Sequence, residues 1–153
     1  MVAPAPSLPA LAHRFGTPLY VYDAEALRGR AVSLRNACAA PIHLLYCVKA
    51  NPAGPLLEAL HGAVDGLDVS SGGEVRLALG AGYPAATLSF AGPGKADEEL
   101  ALAVREGVTL SVESEGELAR LLGIATPTCP ANVVLRINPR VTAAAFAMKM
   151  GGG

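Results

Sequence analysis

The sequence lacks several features that would define its class at once. It has no tryptophan, no apolar run long enough to span a bilayer, and no N-terminal segment of the signal-peptide kind. Its 12 basic and 13 acidic residues are interspersed, which indicates neither nucleic-acid nor membrane binding. The cysteines Cys38, Cys47 and Cys129 have no metal-ligand spacing, so we predict reduced thiols in a cytoplasmic protein and no metal site.

The chain does contain an alternation of apolar segments with helical patterns. Its 153 residues are 52% hydrophobic, enough for one compact domain with a core. A short strand is predicted at 18–22 and a helix at 23–40. Five further strands are predicted at 42–48, 66–70, 86–92, 108–113 and 132–138, separated by helical patterns at 53–62, 73–81, 96–106 and 115–123. Several of these strands are apolar at almost every position, which is typical of a parallel sheet.

The spacing of these segments favours a barrel. The strand ends follow one another in steps of 21, 22, 21 and 26 residues, and residues 69–79 resemble residues 112–122 at an offset of 43, or two units. A short repeating β–α unit favours a β/α barrel over a doubly wound sheet. A closed barrel needs eight units, so the chain is either an open five-stranded sheet or the front part of a longer protein. We favour the second: an α/β fold, a partial (β/α)8 barrel with parallel strands, truncated after about five of them.

Polar residues at the strand ends are the candidates for function, because barrel enzymes place their sites there. Lys49 ends the apolar stretch "LLYCV" and precedes "ANP", where Asn51 is expected to cap a helix and Pro52 to lie in its first turn. Lys49 is either a surface lysine whose stem packs on apolar neighbours or a desolvated amine suited to a Schiff base. From local sequence, the two readings have equal weight.

The other strand-end residues also have structural explanations. Asp68 lies inside "GLDVSS" next to apolar neighbours, and a loop-facing aspartate at a strand end is common. Ser71 and Glu74 fit a capping box, and so do Ser114 and Glu117, for which capping is taken as the complete explanation. Further strand-end candidates are Ser70, Glu113, Arg136 and Asn138.

Arg136, within an apolar strand, is expected to face a polar interior or to pair with an acid, because its guanidinium cannot lose its charge. The segment 90–100, "FAGPGKADEEL", lacks Walker spacing, so we interpret it as a turn into a helix. No glycine-rich dinucleotide motif is present either.

Six motifs in register give a family resemblance. They are "TPLYVYD" (17–23), "YCVKANP" (46–52), "GLDVSSGGEV" (66–75), "FAGPGKADEEL" (90–100), "VESEGEL" (112–118) and "LRINP" (135–139). In this order and spacing they resemble the fold-type III pyridoxal-phosphate decarboxylases, the diaminopimelate/ornithine/arginine decarboxylase family related in fold to alanine racemase. The ending "FAMKMGGG" (146–153) is similar to the branch that includes decarboxylases of carrier-protein-bound amino acids.

The resemblance implies a cofactor, pyridoxal 5'-phosphate, and four site residues. Lys49 would form the Schiff base with it, while Asp68, Glu74 and Arg136 would line its site. Residues 1–16 would be an N-terminal extension and 17–153 the front part of the cofactor-binding barrel. The strand at 18–22 would belong to a C-terminal β domain, and the phosphate loop and second-domain residues would lie beyond residue 153.

The implied activity is decarboxylation of an amino acid, diaminopimelate-like or bound to a carrier protein, by a homodimer. We expect the 153-residue segment alone to be inactive. Two alternatives remain open: a pyridoxal-phosphate-dependent amino-acid racemase, and a truncated non-catalytic homologue that acts by binding a partner.

Overall fold

The computed structural model describes residues 6–137, in which helices and strands alternate. Two helices come first, α1 (Leu8–Phe15) and α2 (Ala24–Asn36). The alternating part comprises β1 (Leu45–Cys47), α3 (Gly54–Ala59), β2 (Gly66–Val69), α4 (Gly72–Gly80), β3 (Leu88–Phe90), α5 (Asp97–Glu106), β4 (Thr109–Val112), α6 (Glu115–Ile124) and β5 (Asn132–Leu135). Short 3-10 turns lie at Val48–Ala50 and Ala85–Thr87. Within residues 6–137, no helix combines the length and apolar character needed to cross a membrane.

The five strands form one parallel sheet in the order of the sequence, β1-β2-β3-β4-β5. A doubly wound sheet would reverse direction after its first strands, whereas a barrel continues in one direction. Right-handed crossovers that always step the same way place the helices on one face of the sheet. The predicted partial β/α barrel is therefore confirmed.

The core lies between this sheet and its helices. Alternate strand residues point into it: Leu67, Val69, Leu88, Phe90, Leu110 and Val112 are all buried. They pack in one cluster with helix residues such as Val75, Leu100 and Leu121. The intervening residues Asp68, Ser89 and Ser111 are only partly buried, so the described residues cover one face of these strands with apolar side chains and leave the other more polar.

The internal repeat is visible as two equivalent strand–helix junctions. Ser71 Oγ accepts the N–H of Glu74 at the start of α4, and Ser114 Oγ accepts that of Glu117 at the start of α6. Each glutamate reaches back one residue beyond the capping serine: Glu74 Oε2 accepts the N–H of Ser70, and Glu117 Oε2 that of Glu113. Both serines therefore cap their helices as predicted.

One local prediction is not tested by the described residues, and another is wrong. The predicted strand 18–22 is not formed; residues 19–22 have no regular secondary structure, and the side chains of Tyr20 and Tyr22 are 87% and 63% exposed. A strand needs a neighbour to pair with, and within residues 6–137 this segment has none. Its assignment to the sheet of another domain stays a prediction. The helix after Lys49 begins at Gly54 with Pro55 in its first turn; Asn51 instead accepts the N–H of Ala53, and Pro52 precedes the helix.

Candidate functional site

A pocket of about 370 Å³ lies at the carboxyl ends of the strands. Its walls come from the segments that follow β1, β2, β3 and β5. The lining residues are Lys49, Asp68, Ser70, Ala91, Gly92, Pro93, Gly94, Lys95 and Arg136. Its volume falls in the usual range for small-molecule sites, and it lies at the edge where barrel enzymes place their chemistry.

Lys49 enters this pocket from the 3-10 turn that ends β1. The turn begins at buried Val48, and Tyr46 Oη donates to the carbonyl of Asn51 across it, 3.2 Å away. Burial raises the pKa of that tyrosine. Lys49 itself is exposed and makes no hydrogen bond or ion pair within residues 6–137. Its amine is thus accessible to a ligand.

Asp68 lies beside Lys49 in the pocket lining and is held by the neighbouring strand. Cys47, its register partner on β1, donates its thiol hydrogen to Asp68 Oδ2 over 3.4 Å. Burial, and then this hydrogen bond, raise the pKa of the Cys47 thiol. From sequence, Cys47 was only an unpaired thiol; its contact with Asp68 depends on strand register, which the local sequence does not reveal.

Glu74 is not among the residues that line the pocket. Its carboxylate accepts the N–H of Ser70, a lining residue, at 2.7 Å. Glu74 therefore fixes the backbone at the end of β2, and the structure supports the capping half of its two predicted roles.

Arg136 reaches the pocket from the residue after β5 and pairs with an acid, as predicted. Its Nη1 lies 3.2 Å from Glu113 Oε2, and the Glu113 side chain is only 10% exposed. The other oxygen of Glu113 accepts the N–H of Gly92 at 2.6 Å. Glu113 thus joins the ends of β3, β4 and β5.

The interpretation of Glu117 as a cap alone is wrong. Glu117 Oε1 lies 2.7 Å from Lys95 Nζ, and the two side chains are 4% and 1% exposed. From sequence, capping alone explains Glu117, and a turn into a helix explains the segment 90–100 that contains Lys95. The ion pair joins positions 22 residues apart, and no single motif contains both.

A second carboxylate missed from sequence is Glu99, on the first turn of α5. Its Oε1 accepts the N–H of Gly72 at 2.6 Å, and its Oε2 accepts that of Ala96 at 2.9 Å. These backbone donors, Gly72 first, lower the pKa of Glu99. Glu99 therefore connects the starts of α4 and α5 just behind the strand ends. Asn138, another strand-end candidate, lies outside the described residues.

Comparison with known proteins identifies the class. The family model described as "Pyridoxal-dependent decarboxylase, pyridoxal binding domain" matches residues 25–153. L-glutamyl-(BtrI acyl-carrier protein) decarboxylase of Niallia circulans is 36% identical over 145 residues, which are 94% of this chain and 34% of that protein. Diaminopimelate decarboxylase of Neisseria meningitidis serogroup B is 40% identical over 140 residues, covering 88% of this chain and 33% of that protein.

A solved structure gives the same result. The crystal structure of diaminopimelate decarboxylase from Helicobacter pylori complexed with L-lysine superposes with a TM-score of 0.77 at 30% identity, over 88% of this chain and 35% of that one. The fold is that of the front part of a β/α barrel with a lysine in the pocket at its strand ends. The chain belongs to the pyridoxal-dependent decarboxylase family and corresponds to its pyridoxal-binding domain. It spans about a third of the length of the curated relatives it matches.

The donor set of the pocket suits pyridoxal phosphate. Lys49 offers an unengaged amine for the aldehyde, Asp68 a carboxylate, and Arg136 a cation for an anionic ligand. The cofactor expected from the sequence is therefore the one that the family uses and that these residues can hold.

Proposed function

We propose that this chain is the part of a pyridoxal-phosphate-dependent amino-acid decarboxylase that carries the cofactor on Lys49. The observation that carries the proposal is the contrast between the two lysines that line the pocket. Lys95 is buried and paired with Glu117, whereas Lys49 is exposed and has no hydrogen-bonding partner within residues 6–137. An amine can attack an aldehyde only where it is accessible, and all three N–H donors of Lys95 are held by protein acceptors. Lys49 is the better candidate of the two.

The residues around Lys49 have complementary roles. Its Nζ would hold the cofactor covalently, and the same nitrogen would be placed to carry a proton in the pocket. Asp68 orients the cofactor, with one carboxylate oxygen fixed by Cys47. Arg136 balances charge, and Glu113 holds it in place. Glu74 acts indirectly by fixing Ser70.

Pyridoxal phosphate, when bound, supplies a ring that accepts the electron pair left as carbon dioxide departs. The chain contributes binding and orientation at the strand ends. The substrate that best fits the comparisons is an amino acid of the diaminopimelate type or a glutamyl group on a carrier protein, since relatives with each activity are 36–40% identical to this chain. We infer a homodimer for the complete gene product from the family resemblance.

Trapping the cofactor tests the proposal. The complete gene product is incubated with pyridoxal phosphate, reduced with borohydride and analysed by peptide mass spectrometry. We expect the reduced pyridoxyl group on Lys49 and its loss in Lys49→Ala. Labelling elsewhere, or none in the folded protein, would contradict the proposal.

Turnover separates the remaining alternatives. Carbon dioxide release from diaminopimelate, or from a glutamyl carrier protein, supports the decarboxylase and distinguishes its two substrate classes. Racemisation without carbon dioxide release would indicate the racemase. Trapping at Lys49 without turnover of either kind, together with stable binding to an active homologue, would indicate the non-catalytic partner.

A further inference from the structure

The buried ion pair of Lys95 and Glu117 lies in the wall of the proposed cofactor pocket. Lys95 is 3% exposed overall and lies in the turn that follows β3; Glu117, also 3% exposed, is in the first turn of α6. Burying two charges is costly unless they are paired and their remaining hydrogen-bonding groups are satisfied. A buried pair at this place can instead act on the shape of the pocket wall.

All three donors of the Lys95 ammonium have protein partners. Nζ donates to the carbonyls of Gly92 and Ser111 at 2.8 Å and 2.7 Å, and to Glu117 Oε1 at 2.7 Å. An ammonium has three donors and no acceptor, so none remains for a ligand. Lys95 therefore lines the pocket without being able to bind a phosphate or react with an aldehyde while this arrangement lasts.

Lys95 and Glu113 together hold Gly92 in the pocket wall through its two backbone polar groups. Gly92 accepts from Lys95 through its carbonyl and donates its N–H to Glu113 Oε1. Gly92 has a φ of +145°, a conformation that side chains rarely adopt. The path of the chain through Gly92, Pro93 and Gly94 is thus held by Lys95, itself paired with Glu117, and by Glu113, the residue after β4.

We propose that Lys95 is a positioning residue for the cofactor pocket: paired with Glu117, it fixes the Gly92–Gly94 turn in the shape that receives the ligand beside Lys49. This inference rests on the proposed function and adds a residue that touches neither substrate nor reacting atoms. Glu113 extends the same support to Arg136, so Glu113 and Glu117 together hold the parts of the pocket lining contributed by Gly92, Lys95 and Arg136.

The test removes the pair as a unit in the complete gene product. Lys95→Met with Glu117→Gln leaves no buried unpaired charge, and the glutamine can still accept the N–H of Glu113. The matched control is Arg35→Met with Asp65→Asn, which removes an ion pair at the opposite edge of the sheet, before β1 and β2. For each protein, borohydride trapping measures the pyridoxal phosphate concentration that gives half-maximal labelling of Lys49, and melting temperature reports folding.

We expect the half-saturating concentration to rise about tenfold in the Lys95/Glu117 variant, the size of one lost charge-assisted hydrogen bond, and to stay unchanged in the control. A folded Lys95/Glu117 variant with unchanged half-saturation would overturn the proposal. So would labelling of Lys95 in the unmodified protein. If the unmodified protein is not labelled at Lys49, the proposed function itself fails.

A second variant covers the case in which the double variant does not fold. Gly92→Ala keeps the ion pair, and its Cβ would meet only Ser70 O at 3.6 Å, an ordinary contact. The substitution therefore acts through the backbone conformation of the turn. It should weaken capture at Lys49 by a similar factor, and normal capture by a folded Gly92→Ala protein would contradict the positioning role.

Discussion

Cys47 Sγ lies 3.4 Å from Asp68 Oδ2, across neighbouring parallel strands whose register pairs the two residues. The thiol comes two residues before Lys49, and it donates to a carboxylate of the pocket lining. Partial burial raises the pKa of this thiol, and its hydrogen bond to the carboxylate stabilises the protonated form further. The pair therefore makes Cys47 a poor nucleophile and gives Asp68 a fixed orientation.

We predict that Cys47 is alkylated by iodoacetamide more slowly than the exposed Cys38 at mildly alkaline pH. The pKa of Cys47 is raised above its ordinary value, so less thiolate is present at a given pH. Asp68→Asn removes the carboxylate charge that contributes to the shift, and it should speed alkylation of Cys47 severalfold. Cys38, in the same molecule, serves as the control and should keep its rate. Equal rates for Cys47 in the two proteins, measured by peptide mass spectrometry, would argue against the contact.

Glu99 should contribute pH-dependent stability through its two backbone donors. Its pKa in the folded state is lowered, so its contribution is fully present above the ordinary value of 4.5 and is lost as pH falls through the folded-state pKa. Glu99→Gln keeps an acceptor for only one of the two N–H groups. We expect a loss of about 1–2 kcal/mol at pH 7, shrinking at pH values below the folded-state pKa.

Urea unfolding at several pH values measures this difference. Glu98→Gln is the matched control. Glu98 is an exposed neighbour on the same helical turn, and its substitution by glutamine removes the same charge. A Glu99→Gln difference that is constant with pH, or equal to that of Glu98→Gln, would show that the two backbone hydrogen bonds do not act as described.

The strand order could be predicted from sequence because the apolar segments recur at nearly constant spacing, and each unit is too short for anything but one strand and one helix. Strand ends were less predictable. β1 was expected to begin at residue 42 but begins at Leu45, because Asp65 Oδ2 accepts the N–H of Leu44 and replaces a strand partner there. Its end is set by the 3-10 turn that presents Lys49.

The pocket residues could be predicted from sequence where they lie at the ends of predicted strands. Lys49, Asp68 and Arg136 come together at one edge of the sheet, as parallel topology requires. The contacts that hold them could not be derived from local patterns. Cys47 with Asp68, Glu113 with Gly92, and Lys95 with Glu117 each join segments 21 or 22 residues apart, and each residue had a satisfactory explanation within its own segment.

Burial on the helix-facing side of the sheet predicts a large difference between two leucines. Leu110 on β4 is fully buried, whereas Leu122 on α6 is 71% exposed. Leu110→Ala should cost about 2–5 kcal/mol of unfolding free energy, because it removes buried apolar area and leaves a cavity. Leu122→Ala, the same substitution at an exposed site, should change stability by no more than about 0.5 kcal/mol. Chemical denaturation of both variants measures the difference, and similar losses would contradict the position of the core.

Gly66 at the start of β2 should tolerate no side chain. A Cβ built there would lie 1.9 Å from the carbonyl oxygen of Thr87 and 3.0 Å from the side chain of Leu45, so β1 and the chain entering β3 both approach its backbone. Relief requires backbone movement rather than rotation of a flexible side chain, and we expect Gly66→Ala to cost about 3 kcal/mol or more. Gly80→Ala is the control, because nothing lies within 4 Å of its Cβ position at the end of α4. That substitution should be neutral or stabilising by up to about 1 kcal/mol, since alanine has less backbone freedom to lose on folding. Thermal unfolding measures the stability of both variants. A stable Gly66→Ala protein would mean that β1, β2 and β3 do not approach each other as closely as the sheet register requires.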